Sequence, residues 1–148
     1  MTDLHHIVCP TCGGVNRTPS AQDLRQGKCG KCSSALASDV PVEISGAAAV
    51  KLLTRDEGDY VVDAWAPWCG PCRMLAPAYA AAAERYAGRL RLFKVNVDES
   101  PDVAQLLNVR GIPALFIQSG GKLLDQRSGL MSADQLFGWI ESVLADHA

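Results

Sequence analysis

Tyr60-Val61-Val62-Asp63-Ala64-Trp65-Ala66-Pro67-Trp68-Cys69-Gly70-Pro71-Cys72 is the run from which this 148-residue chain is best read. Its first six residues are apolar apart from Asp63, the pattern of a central strand covered on both faces. Pro71 suits the first turn of a helix, where its missing N–H costs nothing. Cys69 and Cys72 therefore fall at a strand–helix junction, about one turn apart. Helix N-termini present unpaired N–H groups and a partial positive charge, and both favour thiolate over thiol. Thiolate is the attacking species in disulfide exchange, so this placement activates Cys69. A Cys-x-x-Cys pair here is a redox motif with a mechanism. The competing reading, a metal site, needs two further ligands, and among cysteines and histidines only His147 follows the pair.

Outward from this run the pattern alternates strand and helix. Strands are predicted at 42–44, 60–65 and 90–97, and at 114–118 and 122–127 as a hairpin around Gly120-Gly121. Helices are predicted at 46–54, at 72–86 with Pro77 inside as a kink, at 103–107 after Ser100-Pro101, and at 132–144. In the last of these Leu136, Trp139, Ile140 and Val143 form one stripe. Such alternation implies an α/β domain over residues 39–148, a mixed sheet with helices on both faces. Asp63 is the outlier in its strand. A buried carboxyl there would have its pKa raised toward neutrality, and could then pass a proton to or from a cysteine. A solvated Asp63 at a strand edge is the alternative.

Residues 1–38 read differently. Two more pairs, Cys9-Pro10-Thr11-Cys12 and Cys29-Gly30-Lys31-Cys32, give the spacing Cys-x2-Cys-x16-Cys-x2-Cys of a zinc ribbon. Leu4, Ile7, Val8, Val15, Leu24 and Leu36 are too few to enclose a core unaided, and a segment this short needs a staple. Cys9, Cys12, Cys29 and Cys32 can close a tetrahedron around one structural zinc; iron in a similar four-thiolate site stays open as an alternative. Gly13 and Gly30 are expected to provide the tight knuckle turns. His5 and His6 read as a solvated tail, and 33–39 as a linker.

The formal charge of −2 gives no nucleic-acid footprint. A four-thiolate zinc site would carry it to about −4, with Arg17, Arg25, Lys28 and Lys31 near enough to offset that. The N-terminus, with Asp3, His5 and His6, lacks the basic and apolar stretches of a secretory signal, and no apolar run approaches the roughly 20 residues of a membrane span. Reduced thiols fit a cytoplasmic location. No Gly-x-Gly-x-x-Gly follows a strand, so no bound nucleotide or flavin is expected.

The motif Trp65-Ala66-Pro67-Trp68-Cys69-Gly70-Pro71-Cys72, with Pro77 and then Gly111-Ile112-Pro113, resembles the thioredoxin family over residues 41–148. With its tetracysteine segment the whole chain is similar to that family's zinc-binding branch, the bacterial thioredoxin 2 type. The resemblance implies a thioredoxin fold behind a small zinc ribbon, and a protein-disulfide reductase. In it Cys69 attacks a client disulfide, Cys72 resolves the mixed disulfide, and Asp63 moves a proton for Cys72. It further implies that Lys94 lies near Asp63, although a plain surface lysine is the other reading. The Ile112–Pro113 bond is expected to be cis beside the cysteines, and Trp68, Gly70, Pro71 and Gly129 to border the substrate groove. The implied partners are client proteins with disulfides and an NADPH-dependent thioredoxin reductase. A zinc-dependent, redox-regulated chaperone or adaptor is the alternative, and the ribbon's role as oxidation sensor or as passive docking and stabilising module is left open.

Overall fold

The structure, a computed structural model, describes residues 3–147. Its main sheet has five strands: β3 (Val42–Glu43), β4 (Tyr60–Trp65), β5 (Arg91–Asn96), β6 (Ala114–Ser119) and β7 (Lys122–Ser128). They lie in the order β3-β5-β4-β6-β7, with β3, β5 and β4 parallel and β6 and β7 antiparallel to their neighbours. The predicted elements are all present, with ends shifted by a few residues at most.

Strand β4 is central, and its side chains alternate between two cores. Val61 packs with Leu92, Leu115 and Ile117 under helices α2 (Gly70–Arg85) and α4 (Ala133–Asp146). Val62 and Ala64 pack with Phe93, Val95 and Phe116 under α1 (Gly46–Arg55) and α3 (Pro101–Leu106). By that alternation Asp63 lies on the α2 side. Helix α2 starts earlier than expected because Cys69, not Cys72, is its first boundary: the Cys69 side chain caps it. Pro77 sits inside α2 without ending it. A reciprocal cap, Ser132 Oγ with the Gln135 N–H and Gln135 Oε1 with the Ser132 N–H, fixes the start of α4.

The N-terminal segment forms a two-stranded antiparallel hairpin, β1 (Leu4–Val8) with β2 (Val15–Pro19), followed by a short turn at Leu24–Gln26. His5 and His6 belong to β1, so they are not a tail. The reason is pairing: His6 donates its N–H to Glu57 Oε1 at 2.6 Å, and its Nδ1 lies 3.2 Å from the same oxygen. Half of the expected linker is also structural, since Leu36 is buried against Ile7, Cys9 and Cys29.

Two adjacent residues of β1 join the hairpin to the main sheet. Ile7 faces the ribbon cluster, whereas Val8 is fully buried in the core of Ile44, Leu52, Tyr60 and Phe93. The Val8 N–H donates to Asp56 Oδ2 at 2.9 Å, and Asp56 also accepts from Gly58 and, at 2.7 and 2.8 Å, from Arg91. A Cβ on Gly58 would collide with the Arg91 guanidinium and come within 2.8 Å of Ile7 Cδ1, so a side chain here would have to displace the Arg91–Asp56 pair or Ile7. Among the described residues, no helix is long and apolar enough to cross a membrane.

Candidate redox centre and metal centre

Cys69 and Cys72 form a disulfide, with Cα atoms 5.3 Å apart, at the end of β4 where α2 begins. The Cys72 N–H points at Cys69 Sγ at 3.2 Å, so the helix terminus is aimed at that sulfur. Such donors and the helix dipole stabilise negative charge there. In the disulfide both cysteines are nearly covered, at 4% and 3% exposed. The short ring holds the two sulfurs together in one patch of Ala66, Trp65, Val97 and Ile112.

Around this patch the predicted groove residues converge. The Ile112–Pro113 bond is cis, and the Pro113 carbonyl accepts from the Gly129 N–H at 2.9 Å, which ties the start of β6 to the segment after β7. Trp68 is 67% exposed, yet its ring is oriented, because Nε1 donates to Asp98 Oδ2 at 2.9 Å. Asn96 Oδ1 in turn accepts from the Asp98 N–H. Sequence reasoning missed Asp98 and Asn96. Their signal was a polar cluster just past a strand on the same rim, and that is too common to single out.

Asp63 is fully buried, and neither carboxylate oxygen has a hydrogen-bond partner. Burial pushes its pKa up to about 7, with the charge of Lys94 acting against the rise and Glu43 adding to it. Lys94 is directly opposite Asp63 on β5, and its Nζ stands over the Trp65 ring, 4.7 Å from the centroid. It is held against this face and is no free surface lysine. Tyr79 of α2 is buried on the same side, but its hydroxyl donates to the Val61 and Phe93 carbonyls. The arrangement offers a dithiol/disulfide pair at a helix terminus, an apolar rim, and a carboxyl that can gain or lose a proton near neutrality.

At the other end of the chain the sulfurs of Cys9, Cys12, Cys29 and Cys32 all lie within 4.8 Å of one another. Cys9 to Cys32 and Cys12 to Cys29 are each 3.6 Å. A tetrahedron with Zn–S bonds of about 2.3 Å has edges of about 3.8 Å, so the donor set and its size fit one such ion. Backbone N–H groups of Gly14 and Lys31 point at the Cys12 and Cys29 sulfurs, at 3.3 and 3.4 Å. The two knuckles repeat one hydrogen-bond pattern. Gly13 N–H donates to the Cys9 carbonyl, and Ser33 N–H to that of Cys29. Gly13 and Ser33 both have positive φ, +77° and +68°; Gly30, expected to make the second turn, does not need it. Asn16, not foreseen, clasps the knuckles: its Nδ2 donates to the Gly14 carbonyl and its Oδ1 accepts from the Gly30 N–H. A cleft of about 400 Å³ between ribbon and sheet, lined by His5, Gln22, Glu57, Asp59 and Arg89, opens at the end of β4 away from the cysteines.

Comparison with known proteins agrees with this geometry. The family model described as Thioredoxin matches residues 41–142. Thioredoxin C-3 of Corynebacterium nephridii is 30% identical over 138 residues, spanning 93% of this chain and 94% of that protein, a length that takes in most of the ribbon. Thioredoxin 1 of a Nostoc species is 44% identical over 84 residues, 57% of this chain and 78% of that protein. A mutant thioredoxin from Halobacterium salinarum, at 33% identity, superposes with a TM-score of 0.64 over 72% of this chain and 93% of that one. With this fold, this dithiol and these relatives, the chain belongs to the thioredoxin family and is a thiol–disulfide oxidoreductase.

Proposed function

We propose that this chain is a protein-disulfide reductase working in the cytoplasm, with a zinc ribbon at residues 1–38 and a thioredoxin domain at 39–148. The observation that carries the reading is the Cys69–Cys72 pair at a helix terminus, on the same side of the sheet as the fully buried, unpartnered Asp63 carboxyl, whose pKa burial raises. The Cys69 thiolate attacks one sulfur of a client disulfide, a mixed disulfide forms, and the other client sulfur leaves as a thiolate. Cys72 then gives its proton to ionised Asp63 and attacks Cys69 Sγ. The Cys69–client bond breaks, the second client thiol departs, and Cys69–Cys72 is left oxidised. Two electrons have moved to the client. A thioredoxin reductase using NADPH restores the dithiol, and no nucleotide or flavin is bound by this chain. The exposed Trp68 face and the Ile112–Pro113 and Gly129 backbone form the surface on which an extended client segment lies. Lys94 supports the ionised form of Asp63.

Cys9, Cys12, Cys29 and Cys32 hold one zinc, whose role is structural because four thiolates leave no open position. The preference for zinc over iron rests on the closed tetrathiolate fit, and elemental analysis of reduced protein decides it. Neither nucleic acid nor membrane is a partner.

Insulin reduction with NADPH and thioredoxin reductase tests the reading. Wild type is expected to turn over, Cys69→Ser to be inactive, and Cys72→Ser to accumulate clients as mixed disulfides on Cys69. Substantial turnover by Cys69→Ser overturns the assignment of the nucleophile.

A further inference from the structure

Lys94 has two acidic neighbours, one on each side. On β4 it is opposite Asp63, and on β3 it is opposite Glu43. Residues directly opposite on adjacent strands project from the same face, so Glu43, Lys94 and Asp63 form one row across three strands. Neighbouring strands are about 4.8 Å apart, so the backbone positions of Glu43 and Asp63 are about 10 Å apart, with Lys94 on the strand between them. The Lys94 ammonium is held over the Trp65 ring, 4.7 Å from its centroid, on this same face. The Asp63 oxygens have no hydrogen bond of their own, and the charges along this row therefore decide how tightly they hold a proton.

We propose that Glu43 is a positioning residue for the proton on Asp63: it shares the charge of Lys94 from the far side of the row and so keeps the buried carboxyl protonated. An apolar residue at the same place in β3 would leave Lys94 a single anion to serve, and Asp63 would ionise more readily. The electrostatics run the same way. Lys94 lowers the pKa of both carboxyls and Glu43 raises that of Asp63. Glu43 is itself raised, by desolvation first, with Lys94 opposing and the nearby Glu99 adding to the rise. From α2 the titratable groups on this side are Tyr79, whose hydroxyl pKa burial raises well above its usual value, and the two cysteines, which do not titrate as a disulfide. From β6 the residue opposite Asp63 is apolar Leu115. Glu43 and Lys94 are thus the charges that set the balance.

This rests on Asp63 serving Cys72, and the test separates the two ideas. The Asp63 carboxyl carbon is titrated by NMR in the full-length oxidised protein, where neither Cys69 nor Cys72 contributes. Glu43→Gln is expected to lower the midpoint by about half a pH unit at low ionic strength, and less in 1 M salt, because Glu43 is on an exposed edge. Glu43→Asp, which keeps the charge, should return most of the way to wild type. An unchanged midpoint in Glu43→Gln, or Glu43→Asp behaving like Glu43→Gln, overturns the proposal. Reduced protein then reports on the underlying reading: the pH profile of mixed-disulfide resolution should move with the Asp63 midpoint. If the midpoint moves and the profile does not, Asp63 is not the proton acceptor, while the role of Glu43 in holding its proton stands.

Discussion

Asp63 reduces stability in a way that depends on pH. Its folded-state pKa, about 7, is above that of an unfolded aspartate near 3.9, so the native state binds the proton more tightly. Stability therefore falls as pH rises from about 4 to about 7, and the full cost is present above that. A shift of about three units corresponds to about 4 kcal/mol. Asp63→Asn is expected to stabilise by up to this amount at pH 8 and by little at pH 4, as urea unfolding at the two pH values will show. The same variant should slow resolution of the mixed disulfide more than the initial attack and flatten its pH dependence near neutrality. The carboxyl was legible in sequence because a lone acid in an apolar strand is conspicuous. The second knuckle turn was not. Ser33 holds φ +68°, and nothing in a serine announces a left-handed backbone. Ser33→Gly should stabilise the ribbon by about 0.5 kcal/mol. Gly13→Ala should destabilise it by about 1–2 kcal/mol, since its Cβ would also press within 3.3 Å of Ala48 Cα. Thermal melts of the two variants check both signs.

Among the elements, β4 and α2 were readable because each signal is local: a strand apolar but for Asp63, and a proline in the first turn of the helix. Strand β1 was not, since Leu-His-His-Ile-Val shows no alternation and its two buried residues, Ile7 and Val8, serve different cores. What holds the strand is a partner 48 positions away, the Asp56 carboxylate. That group ends α1 and pairs with Arg91, whose side chain is 4% exposed. Breaking a buried ion pair on one side leaves an uncompensated charge and costs about 3–5 kcal/mol. Asp56→Ala is expected to lose about that much in denaturant unfolding, and amide exchange at Val8 and Gly58 should rise far more than at Val61 or Ile117. Equal acceleration at all four amides would mean that the clamp supports the whole sheet and not this seam.

At the scale of the molecule, the two cysteine centres are carried by different parts of the fold: the ribbon rests on α1, and Cys69 and Cys72 open α2. The ribbon leans on α1 and on the chain entering β4 at Gly58 and Tyr60, whereas Cys69 follows its exit at Trp65. The ribbon residues Gly13 and Val8 pack on the α1 side of the sheet, away from α2. The sequence could not reveal this geometry, since the seam is made of long-range contacts, and it bears on the two roles left open for the ribbon. Oxidation of the four thiols to disulfides removes the ligands a metal needs. Graded peroxide is therefore expected to release one zinc per chain and to unseat residues 3–36. Val8 then leaves the core of Ile44, Leu52 and Tyr60, and the melting temperature drops. The groove of Trp68, Pro113 and Gly129 is built from the segments that follow β4, precede β6 and follow β7, none of them part of the ribbon, so insulin reduction, measured below the lowered melting temperature with the reductase in excess, should remain within about twofold of the zinc-loaded rate. A rate that falls in step with zinc release, at a temperature where Ile117 and Val61 amides remain protected, would instead show the ribbon to be a switch acting through the sheet.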